Sequence, residues 1–325
     1  MNPAARVTPG ERMCMRISRA IMLTALLATP AAAQISTGNS ERHSIIGARA
    51  AALADANVAD AFDVGSMYWN PAGVAFLQQR SLVLNYALER ILSNASVMTE
   101  NVAVPLPQMG TWGMGIGFTL HHIGKAPVGN PLSGSDFRRY SLDIALAKTI
   151  VPSFGIGIGL NGHYAGTPQE YRWGGSSTFG IYYEPSPEVS YGIVYEGVGS
   201  VVQYPYEFDT VYARNGVSTE NPTRTMQAGL TLRYPSSADR RMITLVLASQ
   251  KVFGETGVAY KGGAEWFPVS FFVVRAGYWA RKSSVAAKFG AGLRLGRIQL
   301  DYAISDGRSQ PRFQQLSICF LTVNG

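Results

Sequence analysis

The stretch WGMGIGFTL at residues 112–120 decides the fold of this chain. Large apolar side chains occupy every second position from Trp112 to Leu120, and glycine or threonine occupies the positions between them. A period of two is typical of a β-strand whose two faces meet different surroundings. Residues 101–124 carry no charge, yet a membrane-spanning helix is the wrong interpretation, because the segment is rich in glycine and contains Pro105 and Pro107.

The same alternation recurs along the rest of the chain. It predicts fourteen strands, at residues 81–89, 95–104, 110–121, 138–150, 153–164, 176–184, 190–197, 224–234, 241–250, 259–267, 270–280, 285–295, 298–306 and 313–321. An even number of strands of roughly 9–11 residues fits a bacterial outer-membrane barrel, in which closure leaves no unpaired edge in lipid. The sequence therefore predicts an all-β fold, a transmembrane antiparallel β-barrel of about 14 strands.

The composition and the amino terminus agree with an exported membrane protein. Charged residues make up only 15% of the chain, against about 25% in an average soluble domain. Basic residues up to Arg19, an apolar run at 20–27 and three alanines at 31–33 have the layout of a secretory signal peptide over residues 1–33. The remainder holds 24 basic and 20 acidic residues, which does not indicate a nucleic-acid partner. A soluble β-sandwich is the alternative, disfavoured by the missing polar outer face.

The connections predict the orientation of the barrel. Short connections end the strands on one rim, whereas the long connections at 122–137 and 198–223 lie on the other. Outer-membrane barrels have short periplasmic turns and longer outer loops. We therefore expect the protein in the outer membrane of a Gram-negative-type bacterium, in contact with outer-membrane lipid and with both termini in the periplasm.

Residues 44–80 differ from everything that follows, because alanine is dense and the alternation is absent. Propensity predicts a short helix around residues 47–54. A second short helix is expected to begin with Asn70 as its cap and Pro71 at its first position. Such a segment could fold into the barrel lumen or hang in the periplasm.

A family resemblance rests on this segment. GARA at 47–50, ADA at 54–56 and SMYWNPAGVA at 66–75 resemble the start of mature proteins in the FadL superfamily of outer-membrane barrels, particularly its shorter PorV/PorQ-like branch. The resemblance implies that Trp69, Asn70, Pro71, Ala72 and Gly73 belong to an amino-terminal hatch that precedes a fourteen-stranded barrel. The predicted organisation is a signal peptide at 1–33, a hatch at 34–80 and a barrel at 81–325.

Charged residues at inward-facing strand positions form the second group of candidate site residues. Charge on the lipid face would cost about 2–4 kcal/mol for Arg or Lys at midplane, so we expect these side chains to face the lumen. They are Arg139, Asp143, Glu184, Glu196, Arg233, Lys261, Glu265, Arg275, Lys288, Arg294 and Asp301. They could form an ion-paired network that holds the hatch, with Asp55, Asp60 and Asp63 as partners, or a path for polar solutes.

No motif in the sequence predicts catalysis or a cofactor. The glycine runs at 113–117 and 155–159 lack the following helix of a dinucleotide site, and small residues on an inward strand face that leave room for a plug explain them. His121 and His163 share inward parity, but two histidines alone make a poor metal site. We expect no enzyme activity, no cofactor and no metal site.

Two functions follow as alternatives. The resemblance to FadL implies passage of small hydrophobic compounds across the outer membrane, with Tyr204, Tyr206 and Phe208 of the long outer loop as candidate capture residues. The resemblance to the PorV/PorQ-like branch implies instead an accessory barrel of type IX secretion, which binds exported proteins or secretion-system components.

Overall fold

Fourteen strands run through the described part of the chain. The computed structural model describes residues 46–77, 81–92, 95–123, 137–166, 171–203, 224–235, 242–282, 284–305 and 312–321. The strands are β1 Ser81–Leu92, β2 Ala95–Pro105, β3 Trp112–Ile123, β4 Phe137–Val151, β5 Phe154–Gly166, β6 Tyr171–Ser186, β7 Val189–Gln203, β8 Thr225–Tyr234, β9 Ile243–Val252, β10 Ala259–Val269, β11 Phe272–Arg281, β12 Ser284–Leu295, β13 Ile298–Ser305 and β14 Arg312–Leu321.

The strands form one closed antiparallel barrel, which confirms the predicted fold. Each strand pairs with its neighbours in sequence, and β1 pairs with β14, with Ser81 opposite Leu321 and Val83 opposite Cys319. The wall has the two faces that the alternation predicts. Large apolar side chains such as Phe118, Leu142 and Leu247 are exposed on the outer face, which is what a bilayer requires of a wall.

Among the strands that are longer than the sequence predicts, β6 and β7 extend furthest beyond their predicted bounds. β6 begins at Tyr171 rather than at residue 176, and β7 ends at Gln203 rather than at residue 197. In the added part of β6, Tyr171 and Trp173 alternate with Arg172, but Gly174 and Gly175 interrupt the pattern after three residues, which is too short a run to indicate a strand. Backbone pairing continues there nonetheless, with register shifts around Ser177. Part of the predicted outer loop after residue 197 is therefore strand.

The residues before the barrel fill its interior. The luminal segment, residues 46–77, contains helix α1 (Ala48–Ala52), a 3-10 helix (Asn57–Ala59), helix α2 (Ser66–Trp69) and a second 3-10 helix (Pro71–Phe76). No helix among the described residues is long and apolar enough to cross a membrane.

The luminal segment contacts the wall in the reverse of chain order. α1 packs against β11 to β14, the first 3-10 helix against β7 to β9, and the second 3-10 helix against β3 to β6. At the start of this path the backbone N–H of Ala48 donates to Ser317 Oγ of β14 at 2.7 Å, across 269 positions of sequence. The segment thus follows the inner wall around most of the barrel.

Candidate functional site

Glycines on the inner wall provide the space that the luminal segment occupies. A Cβ atom at Gly113 would lie 2.5 Å from the carbonyl oxygen of Val74, and one at Gly277 would lie 2.5 Å from that of Ala52. Real Cβ atoms do not approach backbone so closely, so a larger residue would push the segment away. These positions need glycine because another backbone approaches them closely.

Asn70 fixes the turn between α2 and the second 3-10 helix. Its Nδ2 donates to the carbonyl oxygens of Val58 at 2.8 Å and of Ile181 at 2.9 Å, and its Oδ1 accepts from the N–H of Ala72 at 3.0 Å. Pro71 occupies the first helical position, as expected. One side chain therefore joins two parts of the luminal segment to β6.

The rest of the hatch motif is packed rather than exposed. Trp69, Pro71, Ala72 and Gly73 are all buried. Gly73 lies against Ser66, whose Oγ would be 3.2 Å from an added Cβ. The motif residues therefore shape and anchor the luminal segment, and they expose little surface to a ligand.

A chain of ion pairs with alternating sign crosses the barrel through the luminal segment. Its members, in order of contact, are Glu184, Arg233, Asp60, Arg49, Glu265, Arg275 and Asp301. The third and fourth members, Asp60 and Arg49, belong to the luminal segment, and the other five belong to the wall. The chain therefore links the segment to strands on both sides of the barrel.

Arg49 is the residue that joins the two halves of this chain. Its Nη1 donates to Asp60 at 2.6 Å, and its Nε and Nη2 donate to the two carboxylate oxygens of Glu265 at 2.9 and 3.1 Å. The guanidinium also lies 4.0 Å from the ring centre of Phe62. Burial opposes the charged form, but the carboxylates of Asp60 and Glu265 raise the pKa of Arg49 well above its usual range.

A second group of contacts holds the end of α1. Lys288 of β12 donates from its Nζ to Asp55 Oδ2 at 2.5 Å, and Lys261 of β10 donates to the backbone oxygen of Asp55 at 3.4 Å. Asp55 has a positive φ of 59°, a left-handed conformation that aspartate tolerates better than most residues. Two wall lysines thus converge on one turn of the luminal segment.

The remaining predicted charges lie apart from this chain. Asp143 accepts from Asn161 Nδ2 at 2.5 Å on the inner wall of β4 and β5. Arg139 and Glu196 also face inward and are partly buried. Arg294 was expected in the network, but the structure places it outside. It lies at the end of β12, is exposed, and forms no ion pair with the described residues. Strand parity alone does not reveal that a position lies at the rim.

Asp63 differs from the other two aspartates of the luminal segment. It forms no ion pair with the described residues, and its Oδ1 accepts from the N–H of Gly65 at 2.8 Å. Burial raises the pKa of Asp63 to about 6, and the nearby Arg49 guanidinium limits the rise.

Sequence reasoning missed two charged residues. Arg49 stands in a run of alanines. A single cation in an apolar segment needs a buried partner of opposite charge, so this pattern could have identified Arg49 as a member of an ion pair. Glu100 lies on the outer face of β2, exposed, opposite Tyr86 and Leu120. Its parity places it outward, against the rule that charge avoids the lipid face.

Two small cavities lie between the luminal segment and the described inner wall. Among the described residues, one cavity of about 30 Å³ lies between the luminal segment and the wall at Val83 and Cys319, and another of about 40 Å³ lies above Tyr68. Since a water molecule needs roughly 10–15 Å³ of such space, each holds a few waters at most. A larger apolar groove of about 390 Å³ runs along the outer wall at Leu84, Phe118 and Leu316.

No protein-family model matches the chain, and no curated protein matches its sequence. Solved structures do match. CymD, a monoaromatic hydrocarbon channel, superposes with a TM-score of 0.61 at 13% identity, covering 86% of this chain and 98% of CymD. The Ralstonia pickettii toluene transporter TbuX gives 0.57 at 12% identity, covering 87% and 99%. The Pseudomonas putida toluene transporter TodX gives 0.51 at 10% identity, covering 78% and 90%.

The chain shares their fold. At 10–13% identity the likeness extends no further than the fold itself. These neighbours are channels and transporters. The resemblance of residues 47–75 to the PorV/PorQ-like branch stays a prediction.

Two further predictions concern binding. The candidate capture residues Tyr204, Tyr206 and Phe208 lie outside the described residues. Within the described ranges, no group of three or more His, Cys, Asp or Glu side chains could hold a metal ion. His121 Nδ1 lies 2.9 Å from Thr99 Oγ1, and His163 Nδ1 lies 3.3 Å from Asn161 Oδ1, so each histidine has its own neighbour on the wall.

Proposed function

We propose that this protein mediates the passage of small hydrophobic compounds, monoaromatic hydrocarbons first among them, across the outer membrane. The observation that carries the proposal is a closed barrel of fourteen strands with a filled lumen, in the fold of CymD, TbuX and TodX. The resemblance to the FadL superfamily supports the same function. No described constellation of side chains favours catalysis instead.

The geometry favours release through the wall over passage down the centre. Within the part of the barrel that the structure describes, the chain of ion pairs crosses the lumen, and the two cavities beside the luminal segment hold only a few waters each. The outer groove and the cavity of about 30 Å³ share one lining residue, Asn101 of β2, so they lie on opposite faces of the same strand. A compound displaced from the lumen at this point would enter an apolar groove that faces lipid.

Capture is assigned to the outer loop. Tyr204, Tyr206 and Phe208 offer aromatic surface to an aromatic ligand, which fits the proposed substrate class. We propose further that the protein lies in the outer membrane with both termini in the periplasm, where its outer face contacts outer-membrane lipid. The hatch is assigned to residues 34–80 as the gate.

Uptake of labelled toluene by cells that carry the full-length protein tests the proposal. Uptake should exceed that of cells without the protein and fall in Tyr204→Ala and Phe208→Ala. If cells with and without the protein take up toluene equally, the proposed function is wrong. Recovery of an exported protein crosslinked in stoichiometric amount would then favour the secretion alternative.

A reversible crosslink tests the release route separately. Asn85 of β1 and Asn101 of β2 are direct partners in register and both border the groove. In a Cys319→Ser background, Asn85→Cys with Asn101→Cys should reduce toluene uptake under oxidising conditions and restore it on reduction. Thr231→Cys with Val246→Cys is the matched control, since this inward pair joins β8 to β9 away from the groove. Equal uptake by the locked and reduced groove variant would exclude this route.

A further inference from the structure

The cavity of about 30 Å³ inside the barrel has an unusual lining. Three of its side chains are at least nine-tenths buried and have an oxygen atom without a hydrogen-bond partner among the described residues. These are Asn57 Oδ1, Ser66 Oγ and Asn101 Oδ1. The same cavity is lined by Asp63, a carboxylate without an ion pair to the described residues. Buried oxygen atoms of this kind normally have partners.

The orientation of Asn101 follows from its neighbours. Its Nδ2 donates to the backbone carbonyl oxygen of Phe118 at 3.2 Å and lies 2.7 Å from the hydroxyl of Tyr68. A carbonyl oxygen can only accept, so the amide nitrogen must face Phe118. The Oδ1 atom of Asn101 is therefore left as an acceptor without a donor.

The charges around the cavity leave an excess of negative charge. Asp60, Glu265 and Asp301 are neutralised by the three arginines of the ion-pair chain, Arg49 among them in the cavity lining. Glu184, at the partly exposed end of the ion-pair chain, is the fourth carboxylate of that chain. Asp63 is a fifth carboxylate, and it forms no ion pair with the described residues. Asp63 is partly buried, and an uncompensated charge that is largely removed from water is costly unless a counter-ion or a proton neutralises it.

We propose that this cavity binds one monovalent metal cation of the size of Na⁺. The Asp63 carboxylate is the charged ligand, and the oxygens of Asn57, Ser66 and Asn101 are the neutral ligands. Hard cations prefer such oxygen ligands, and Ca²⁺ sites normally combine several carboxylates, whereas only one here is not already held by arginine. The volume suffices for one ion and a water. Bound there, the ion ties three parts of the luminal segment to β2.

The thermal stability of the full-length protein in detergent tests the site. The midpoint of unfolding is measured in NaCl and in N-methylglucamine chloride at equal ionic strength. At Na⁺ concentrations about ten times the dissociation constant, the midpoint should rise by about 3 °C, and above that concentration it should continue to rise with the logarithm of the Na⁺ concentration. Asp63→Asn should abolish the rise. Asp143→Asn, which removes an inner-wall carboxylate outside this cavity, should keep it.

Direct binding distinguishes the other outcomes and does not depend on one variant folding. The ²³Na resonance should broaden in the presence of the wild-type protein, and Ser66→Ala should require about tenfold more Na⁺ for the same effect. Equal midpoints in the two salts together with an unbroadened resonance would mean that water or a proton occupies the cavity, and the proposal would be wrong. Neither measurement uses toluene, so a negative result here leaves the proposed transport function unaffected.

Discussion

Replacing Arg49 by methionine should release the luminal segment from the wall. The side chain of methionine has similar length and fills the space beside Phe62, but it cannot donate to Asp60 or Glu265. The substitution therefore removes the one residue that joins the two halves of the ion-pair chain, while the rest of the barrel keeps its pairing.

The size of the effect follows from the contacts that remain. Removing one partner of a buried ion pair costs about 3–5 kcal/mol, because the other charge is left in a medium of low polarity. Both carboxylates keep a second arginine here, Arg275 at 2.6 Å from Glu265 and Arg233 at 3.2 Å from Asp60. We therefore expect the lower end, about 3 kcal/mol, which corresponds to about a 10²-fold rise in the open fraction.

The protein contains a buried thiol whose rate of modification measures this opening. Cys319 of β14 is a free thiol, 4% exposed, and packs in a cluster with Ile46 and Met67 of the luminal segment. Cys14, the other cysteine, lies in the predicted signal peptide. In a mature chain beginning at Gln34, the rate at which a small methanethiosulfonate reagent modifies Cys319 should rise about 10²-fold in Arg49→Met, in proportion to the open fraction.

Arg294→Met is the matched control, because Arg294 is an exposed wall arginine outside the ion-pair chain. Its modification rate should equal that of the wild type. A rate in Arg49→Met that stays within twofold of the wild type would show that the ion-pair chain does not hold the segment, and the reasoning above would be refuted.

Further predictions concern the seat of the luminal segment and the barrel itself. Gly192→Val should raise single-channel conductance in planar bilayers, because its side chain would collide with the carbonyl oxygen of Val58, whereas Gly162→Ala, with open space around it, should not; equal conductance of the two variants would contradict this. Asn70→Leu, which removes three hydrogen bonds at about 1 kcal/mol each, should lower the midpoint of thermal unfolding, and an unchanged midpoint would count against the anchoring role. Deletion of residues 44–76 should leave an insertable barrel of larger conductance, and an unaltered conductance would place the segment outside the pore. Unheated protein should migrate differently from boiled protein on an SDS gel, since every strand edge is paired; identical migration would argue against a closed barrel.

The strands could be predicted from sequence because each wall residue meets one of two environments. In the segment WGMGIGFTL, the large apolar residues face the outer environment and the glycines and threonine between them face the lumen. The prediction failed at the start of β6 and at the end of β7, where glycines and serines interrupt the few apolar residues and the alternation is lost.

The candidate site was harder to predict in this way. The position of a residue in the alternation predicts whether its side chain faces the lumen, but not which side chain it contacts there. The inward parity of Glu265 and Arg275 follows from sequence, yet their shared contact with Arg49 depends on how the luminal segment is threaded. Arg294 has the same inward parity and lies at the rim. The need for glycine on the inner wall likewise depends on the close approach of the luminal segment, which lies far away in the sequence.

The reversed path of the luminal segment sets an order of assembly. α1 precedes every strand in the sequence, but it packs against β11 to β14, and the N–H of Ala48 donates to Ser317 of the last strand. Contacts so distant in sequence carry the largest loop-closure entropy and form late. The luminal segment therefore cannot reach its final position before the last strands of the wall have formed. A chain truncated before β14 would therefore lose both the pairing that closes the barrel and the hydrogen bond that anchors α1.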